Sequence, residues 1–370
     1  MRVLLDRHHH ALFEAYHLTL ADRFGWELFA PYGMEWFDEG YWNFERQFHG
    51  DAVAKQYLVG IWGAVEKEWE RVDPGAAHRP TVFYDTGVVT ARDDRHPDRT
   101  HYGVTLEGAR DMQWDLVISS LPHNDEGYHR FATEVGARFG VQVGNNVQQS
   151  RWDLAEFVWS SSTLPGFGPE WVGRRFTYMG KPAVMTHQEF SLDIFRPRPP
   201  APGREVASWV NCFAETDPYR QFAHLAGKYA SEFDWKCYGA YGSAPVDALS
   251  AGDVSWVPDV ADQMAKARIG WHAKAWSDGF GHVIHDWFAI GRPVVGWRRY
   301  YKDKIAGPLM VEGETFFDME RSEEEVIAIL RRLRDDDDFH VRICENAARR
   351  FREVVDFDHE ASIVRELLES

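Results

Sequence analysis

Two aspartates, two glycines and a lysine between positions 274 and 286 are the side chains best matched to holding an anionic, hydroxyl-bearing ligand. The stretch Trp271 to Trp297 reads WHAKAWSDGFGHVIHDWFAIGRPVVGW. Asp278 precedes Gly279-Phe280-Gly281, and Asp286 comes eight residues after Asp278. Eight residues is a little over two helical turns, so a helix opening at His282 would carry Asp286 on nearly the face that the turn presents. Both carboxylates are then expected to reach one bound molecule. Glycines at 279 and 281 let backbone approach a ligand closely, and the amino end of the following helix favours a phosphate. Lys274 supplies an ammonium suited to neutralising a diphosphate.

The elements that must position these groups are legible in the same stretch. A strand is expected over Ala267 to Ala273, then a polar turn, Ser277 to Gly281, then a helix from about His282 to Ile290. Gly291-Arg292-Pro293 stops the helix, and a second strand starts at Val294. The turn thus lies at the carboxyl end of a strand, where open parallel sheets place ligands.

This segment resembles the donor-site signature of retaining GT-B glycosyltransferases. There the glutamate that opens Glu-Gly-Phe-Gly is separated by seven residues from a second Glu, which is followed by Ala-x-Gly-x-Pro-Val-Val. The chain has Asp278-Gly279-Phe280-Gly281, Asp286 and Ala289-Ile290-Gly291-Arg292-Pro293-Val294-Val295, with every spacing kept and aspartate at both acidic positions. The resemblance implies an α/β chain of GT-B class, two doubly wound Rossmann-like domains facing a central cleft. It implies transfer of a sugar from a nucleotide diphosphate sugar to an acceptor hydroxyl, with retention and with no metal or cofactor. By the same resemblance Asp278 holds hydroxyls of the donor sugar, and Asp286 holds the nucleotide ribose. The diphosphate would lie between the Gly239 to Gly242 loop and the Gly279 to His282 helix start, and the base near Trp256 to Pro258, Val257 included. A histidine after an amino-domain strand often faces the donor sugar in these transferases. His123 is therefore the first candidate, with His8, His9 and His10 as backups.

Composition sets the bounds around this site. A length of 370 residues points to two domains, each able to bury a core. With 58 acidic against 41 basic residues the net charge is −17, which opposes broad adhesion to nucleic acid or anionic lipid. Cys212, Cys237 and Cys344 have neither metal-binding nor disulfide-framework spacing, so a reducing compartment is expected. No apolar run approaches a membrane span, and the amino end meets charge too early for a signal sequence; a cytoplasmic protein is the expectation. The 16 tryptophans suit stacking on sugars, but filling cores is the simpler role.

Along the chain, Arg2 to Asp6, a helix Ala11 to Arg23 and Trp26 to Ala30 open a βαβ unit. Met34 to Gly50 is an aromatic segment without a clean period, read as packing, with an acceptor-side flap as the other reading. Pro80 to Tyr84 is expected as a strand and Thr90 to His101 as a solvated loop. Asp115 to Ser120 is a strand ending at Leu121-Pro122-His123-Asn124, followed by a helix from about Glu126 to Phe139. Phe157 to Ser161 is a strand, and Tyr178 to Phe190 another strand with a turn.

The proline run at 196–204 is read as the linker between an acceptor-side domain, 1–195, and a donor domain, 205–350, with 351–370 crossing back to the amino domain. In the second half, strands are expected at Val206 to Phe213, Asp234 to Gly242 and Val254 to Asp259, with helices at Asp217 to Glu232 and Val260 to Ala267. Ser322 to Glu325 is a capping box, Asp335 to Asp338 is solvated, and the last helices span about His340 to Val355 and His359 to Leu368.

Three further functions fit part of the pattern. A nucleotide-sugar epimerase of the same fold would use cleft acids and histidines, and a non-catalytic nucleotide-sugar-binding protein would need only the donor half. A modified DNA base as acceptor, rather than a glycan or small molecule, would require a basic cleft formed by Arg174, Arg175, Arg196, Arg198 and Arg204.

Overall fold

A computed structural model describes residues 1–5, 10–43, 87–92, 100–144, 150–209, 217–238, 251, 257–274 and 279–370. The chain divides into two compact units. Unit 1 comprises Met1–Leu164, Trp171–Phe190 and Asp358–Ser370; unit 2 comprises Pro165–Glu170 and Ser191–Phe357.

Unit 1 is built on β1 (Arg2–Leu5), β2 (Glu27–Pro31), β3 (Val88–Arg92), β4 (Thr100–Val104), β5 (Leu116–Ser119), β6 (Arg138–Val143), β7 (Phe157–Ser160), β8 (Arg175–Tyr178) and β9 (Lys181–Met185). They form one sheet in the order β3-β4-β2-β1-β5-β6-β7-β9-β8. Only β3 and β8 run antiparallel to their neighbours. Counting the parallel strands alone, β4-β2-β1-β5-β6-β7-β9 is the doubly wound order 3-2-1-4-5-6 with a seventh strand, β9, added beside β7, and its direction reverses between β1 and β5. The near-continuous apolar runs Val3-Leu4-Leu5 and Leu116-Val117-Ile118 are buried, as central parallel strands covered on both faces must be. The helices here are α1 (His10–Tyr16), continued by a π-helical turn at His17–Arg23, then α2 (Glu35–Asp38), α3 (Leu106–Asp111) and α4 (Asp125–Val135).

Unit 2 has β10 (Glu205–Trp209), β11 (Asp234–Tyr238), β12 (Ile269–His272), β13 (Val294–Gly296) and β14 (Phe316–Asp318), all parallel, in the order β11-β10-β12-β13-β14. This is the 2-1-3-4-5 order, with its switch point between β10 and β12. Its helices are α5 (Asp217–Lys228), α6 (Val257–Lys266), α7 (His282–Ala289), α8 (Glu323–Asp335) and α9 (Asp337–Val354). The final helix, α10 (Phe357–Glu369), lies in unit 1 from Asp358 onward.

Several expected elements differ. The helix after β5 ends at Val135 instead of Phe139, because Gly136 turns left-handed (φ 70°) and frees Arg138 to begin β6. Thr90 to His101 is not loop throughout: its two ends pair as β3 and β4, with Val88 opposite Val104 and Arg92 opposite Thr100. Tyr178 to Phe190 is preceded by a strand that the sequence reading missed. Met179 (φ 49°) and Gly180 (φ 77°) make a tight two-residue turn joining β8 to β9.

Val257 to Asp259 open α6 rather than closing a strand. Pro258 sits in the first helical turn, where a missing N–H costs nothing. The aspartates at 335–338 do more than meet solvent: the Asp336 side chain accepts from Phe339 N at 2.9 Å and caps α9. The capping box at Ser322 and Glu325 is present. Trp36, Phe37, Tyr41 and Trp42 are buried, so the described part of the aromatic segment is packing. The expected strand at Pro80 to Tyr84 lies outside the described residues.

The proline-rich run is anchored within unit 2. Arg198 N donates to Ile290 O, and the Arg292 guanidinium, fully buried, donates to the carbonyls of Pro199 (2.8 Å), Gly291 (3.1 Å), Arg198 (3.3 Å) and Ala265 (2.5 Å). Burial pushes this guanidinium below its ordinary pKa.

Candidate functional site

The carboxyl edge of the unit 2 sheet gathers the chemistry-bearing residues. Helix α7 returns along β12 at close range: a Cβ on Gly270 would lie 2.7 Å from the Trp287 indole, so only glycine lets the helix settle here. At the strand ends, His272 pairs with Gly296, and a Cβ on Gly296 would overlap the His272 carbonyl oxygen. Strand β12 therefore ends against β13 with its last carbonyl closely covered. Lys274 follows, half-buried, and no ion pair engages it among the described residues.

Gly279-Phe280-Gly281 leads into α7 as the spacing predicts. Gly281 is left-handed (φ 83°, ψ 47°), a conformation that disfavours any residue with a Cβ. Its carbonyl accepts from Ile284 N at 3.0 Å and from His285 Nδ1 at 2.9 Å, which fixes the proton of His285 on Nδ1. His285, fully buried, stacks on Phe280 with ring centroids 4.1 Å apart and planes 10° from parallel. The phenylalanine of the GFG turn is thus an internal anchor. The first turn of α7 carries no acidic residue, so nothing within that turn offsets its positive end.

Asp286 is 3% exposed, one turn beyond His282, and its Oδ1 lies 3.7 Å from His282 Nε2. His282, the first residue of α7, is about a quarter exposed. The structure therefore brings Lys274, Gly279, Phe280, Gly281, His282 and Asp286 to one strand end and the helix that follows it. Asp278 and Gly239 lie outside the described residues. Val257 opens α6, and its side chain is not among those described.

In unit 1, His123 follows β5 in the turn before α4, at the β1/β5 reversal of the sheet. The turn is held firmly: the Ser119 hydroxyl bonds Asp125 Oδ1 at 2.6 Å, Arg151 N donates to Asp125 Oδ2 at 2.8 Å, and Asn43 N donates to Asn124 Oδ1 at 2.8 Å. His8 and His9 lie outside the described residues, and His10 is the first residue of α1.

Sequence reasoning missed a buried pair beside the unit 2 turn. His272 Nε2 lies 2.7 Å from the Tyr301 hydroxyl, and both residues are buried. Tyr301 belongs to a basic and aromatic run, Tyr300 to Lys304, which was visible in sequence but offered no spacing that joined it to His272. Among the described residues no group of three His, Cys, Asp or Glu side chains is placed to hold a metal ion, and no helix is long and apolar enough to cross a membrane.

No family model matches the chain, and no curated protein matches it in sequence. Solved structures do match in fold. HepE of Anabaena, crystallised with UDP-glucose, superposes with a TM-score of 0.57 at 12% identity, over 100% of this chain and 99% of that one. Sucrose-phosphate synthase of Thermosynechococcus elongatus gives 0.56 at 12% identity, over 100% and 98%. TarM of S. aureus, crystallised with UDP among its ligands, gives 0.52 at 11% identity, over 69% and 55%. Together with the two doubly wound sheets, these likenesses show that the chain has the GT-B fold.

Proposed function

We propose that this GT-B chain transfers a glycosyl group from a nucleotide diphosphate sugar to an acceptor hydroxyl. The observation that carries the reading is the carboxyl edge of β12. There, beside the switch point of a 2-1-3-4-5 sheet, a half-buried lysine, a glycine turn and a helix amino end converge. Departure of a nucleoside diphosphate concentrates negative charge on its terminal phosphate. Lys274 and the α7 dipole are fixed positive groups suited to that charge, and being preorganised they need no rearrangement as it develops. UDP-glucose bound to HepE, a protein of the same fold, supports a nucleotide sugar as the donor class.

The finer assignments are part of the same proposal. Asp286 holds the ribose, Asp278 the donor sugar hydroxyls, the Gly239 loop the diphosphate, and Val257 neighbours the base. His123 faces the sugar. The reaction retains configuration and uses neither metal nor cofactor, and the protein works in the cytoplasm. A glycan or small-molecule acceptor is favoured over DNA. Of the five arginines that a DNA-binding cleft would need, Arg175, Arg198 and Arg204 are paired with Glu366, Asp262 and Asp234 at 3.8, 2.9 and 3.1 Å.

Thermal shift against nucleotides and nucleotide sugars, followed by nucleoside diphosphate release, tests the reading. A ligand that binds only the folded state at about 100 times its Kd adds about 2.7 kcal/mol and raises Tm. Asp286→Ala should weaken donor binding, and Asp278→Ala should chiefly lower kcat. Wild-type kinetics in both variants would remove the donor-site assignment. A nucleotide sugar that binds without turnover across an acceptor panel would favour the binding protein, and conversion of the free nucleotide sugar the epimerase.

A further inference from the structure

The segment after β13 is a self-bonded strap. Arg298–Tyr300 forms one helical turn. Tyr301 N then donates to Arg298 O (3.0 Å), Lys304 N to Tyr301 O (2.9 Å) and Gly307 N to Lys304 O (2.8 Å). Gly307 closes the strap tightly enough that a Cβ there would lie 2.5 Å from Lys302 O and 2.8 Å from Tyr301 O. Strand β13 fixes the start of the strap, and Arg350 Nε, donating to Pro308 O at 2.9 Å, holds its end to α9. The strap is therefore a stiff support, and Tyr301, fully buried, is the side chain it extends toward the glycine turn.

Tyr301 touches both ends of that turn. Its hydroxyl is hydrogen-bonded to His272, the last residue of β12, at 2.7 Å. Its ring edge lies against Gly281, the residue before α7: a Cβ built there would be 3.5 Å from Tyr301 Cε1 and 3.1 Å from Ala306 Cβ, also on the strap. We propose that Tyr301 is a positioning residue for the donor site, its hydroxyl setting where β12 hands over to the turn and its ring setting where the turn enters α7. The inference rests on the nucleotide-sugar reading above and adds a residue outside the signature motif. Lys274 and the α7 amino end come from opposite ends of the turn. Their separation governs how well both meet one diphosphate, and the Tyr301 side chain bears on both ends.

The test compares wild type, Tyr301→Phe and the double variant His272→Leu/Tyr301→Phe in three measurements: Tm, amide exchange at Phe280 to His282 without ligand, and UDP affinity by calorimetry. Tyr301→Phe removes the hydroxyl but keeps the ring. It should speed exchange at Phe280 to His282 and weaken UDP roughly tenfold, the scale of one buried hydrogen bond and the partner it strands. The double variant removes the stranded polar group, so Tm should return toward wild type while exchange stays fast and UDP binding stays weak. A purely structural pair would instead recover all three together, which overturns the proposal. So does wild-type exchange and affinity in Tyr301→Phe. Wild-type protein that binds no nucleoside diphosphate of the thermal-shift panel overturns the donor reading itself, a different result from intact binding with an unresponsive turn; where the panel selects another nucleoside diphosphate, it replaces UDP in the calorimetry.

Discussion

Single residues at the site divide into those that sequence exposes and those that only packing exposes. The spacing of Gly279, Gly281 and Asp286 was legible because each follows from backbone need or helical period, and the turn and helix lie where that spacing placed them. Gly270 was not legible. Nothing in Ile269-Gly270-Trp271-His272 says that the indole of Trp287 fills the space where a Cβ would stand. Gly270→Ala should therefore destabilise the protein by about 1–3 kcal/mol through overpacking, although alanine suits a strand better than glycine does. Urea unfolding followed by tryptophan fluorescence would measure it, and an unchanged midpoint would mean that α7 shifts without strain. His272 and Tyr301 escaped the sequence reading for a related reason. Their contact joins the end of one strand to a strap that leaves the next, and neither periodicity nor motif spacing encodes such a pair.

Among the elements, the central strands β1 and β5 and the helix α8 were read well, while the edge strands β3 and β8 and the Thr105-capped α3 were not. Strands β1 and β5 announce themselves as apolar runs, and α8 by its capping box. The hairpins β3/β4 and β8/β9 mix polar and apolar residues without a long apolar run, so their sequences resemble loops.

Helix α9 carries a pH-sensitive feature of the same hidden kind. His340, fully buried in its first turn, donates from Nε2 to Arg268 O at 2.8 Å, and burial lowers its pKa from 6.5 to about 4. A histidine held neutral in the folded state contributes full stability above pH 6.5. That contribution is lost as pH falls toward 4, where the unfolded chain binds the proton more readily. The loss should approach about 3 kcal/mol across that window. Denaturation midpoints at pH 7 and pH 4.5 for wild type and His340→Gln would check it. The variant should show a shallower acid slope, and equal slopes would refute the assignment.

At the scale of the molecule, the two units differ in how chain order relates to their cores. The unit 2 core draws on 206–343, a single continuous stretch, whereas the unit 1 core mixes Val3, Leu5, Leu116 and Phe157 with Val364, Leu367 and Leu368 of α10. The helix is tied down as well as packed. Glu360 accepts from His187 N at 2.6 Å and pairs with His187 Nδ1 at 2.7 Å, Arg23 bridges Glu189 and Asp358, and Arg138 donates to Leu368 O at 2.6 Å. Ending the chain at Asp356 strips three fully buried aliphatic side chains from unit 1, at about 1.5–3 kcal/mol each, which rivals the margin of a whole domain. Unit 1 should then become protease-sensitive while a fragment covering unit 2 survives; equal resistance of both would show that α10 is dispensable. The intact chain inherits a reversed order of maturation on the ribosome. Its first-made strands must wait, incompletely covered, while more than three hundred later residues emerge, and unit 2 can close before them. Chaperone capture of nascent chains should concentrate on the unit 1 strands and end only once α10 has emerged.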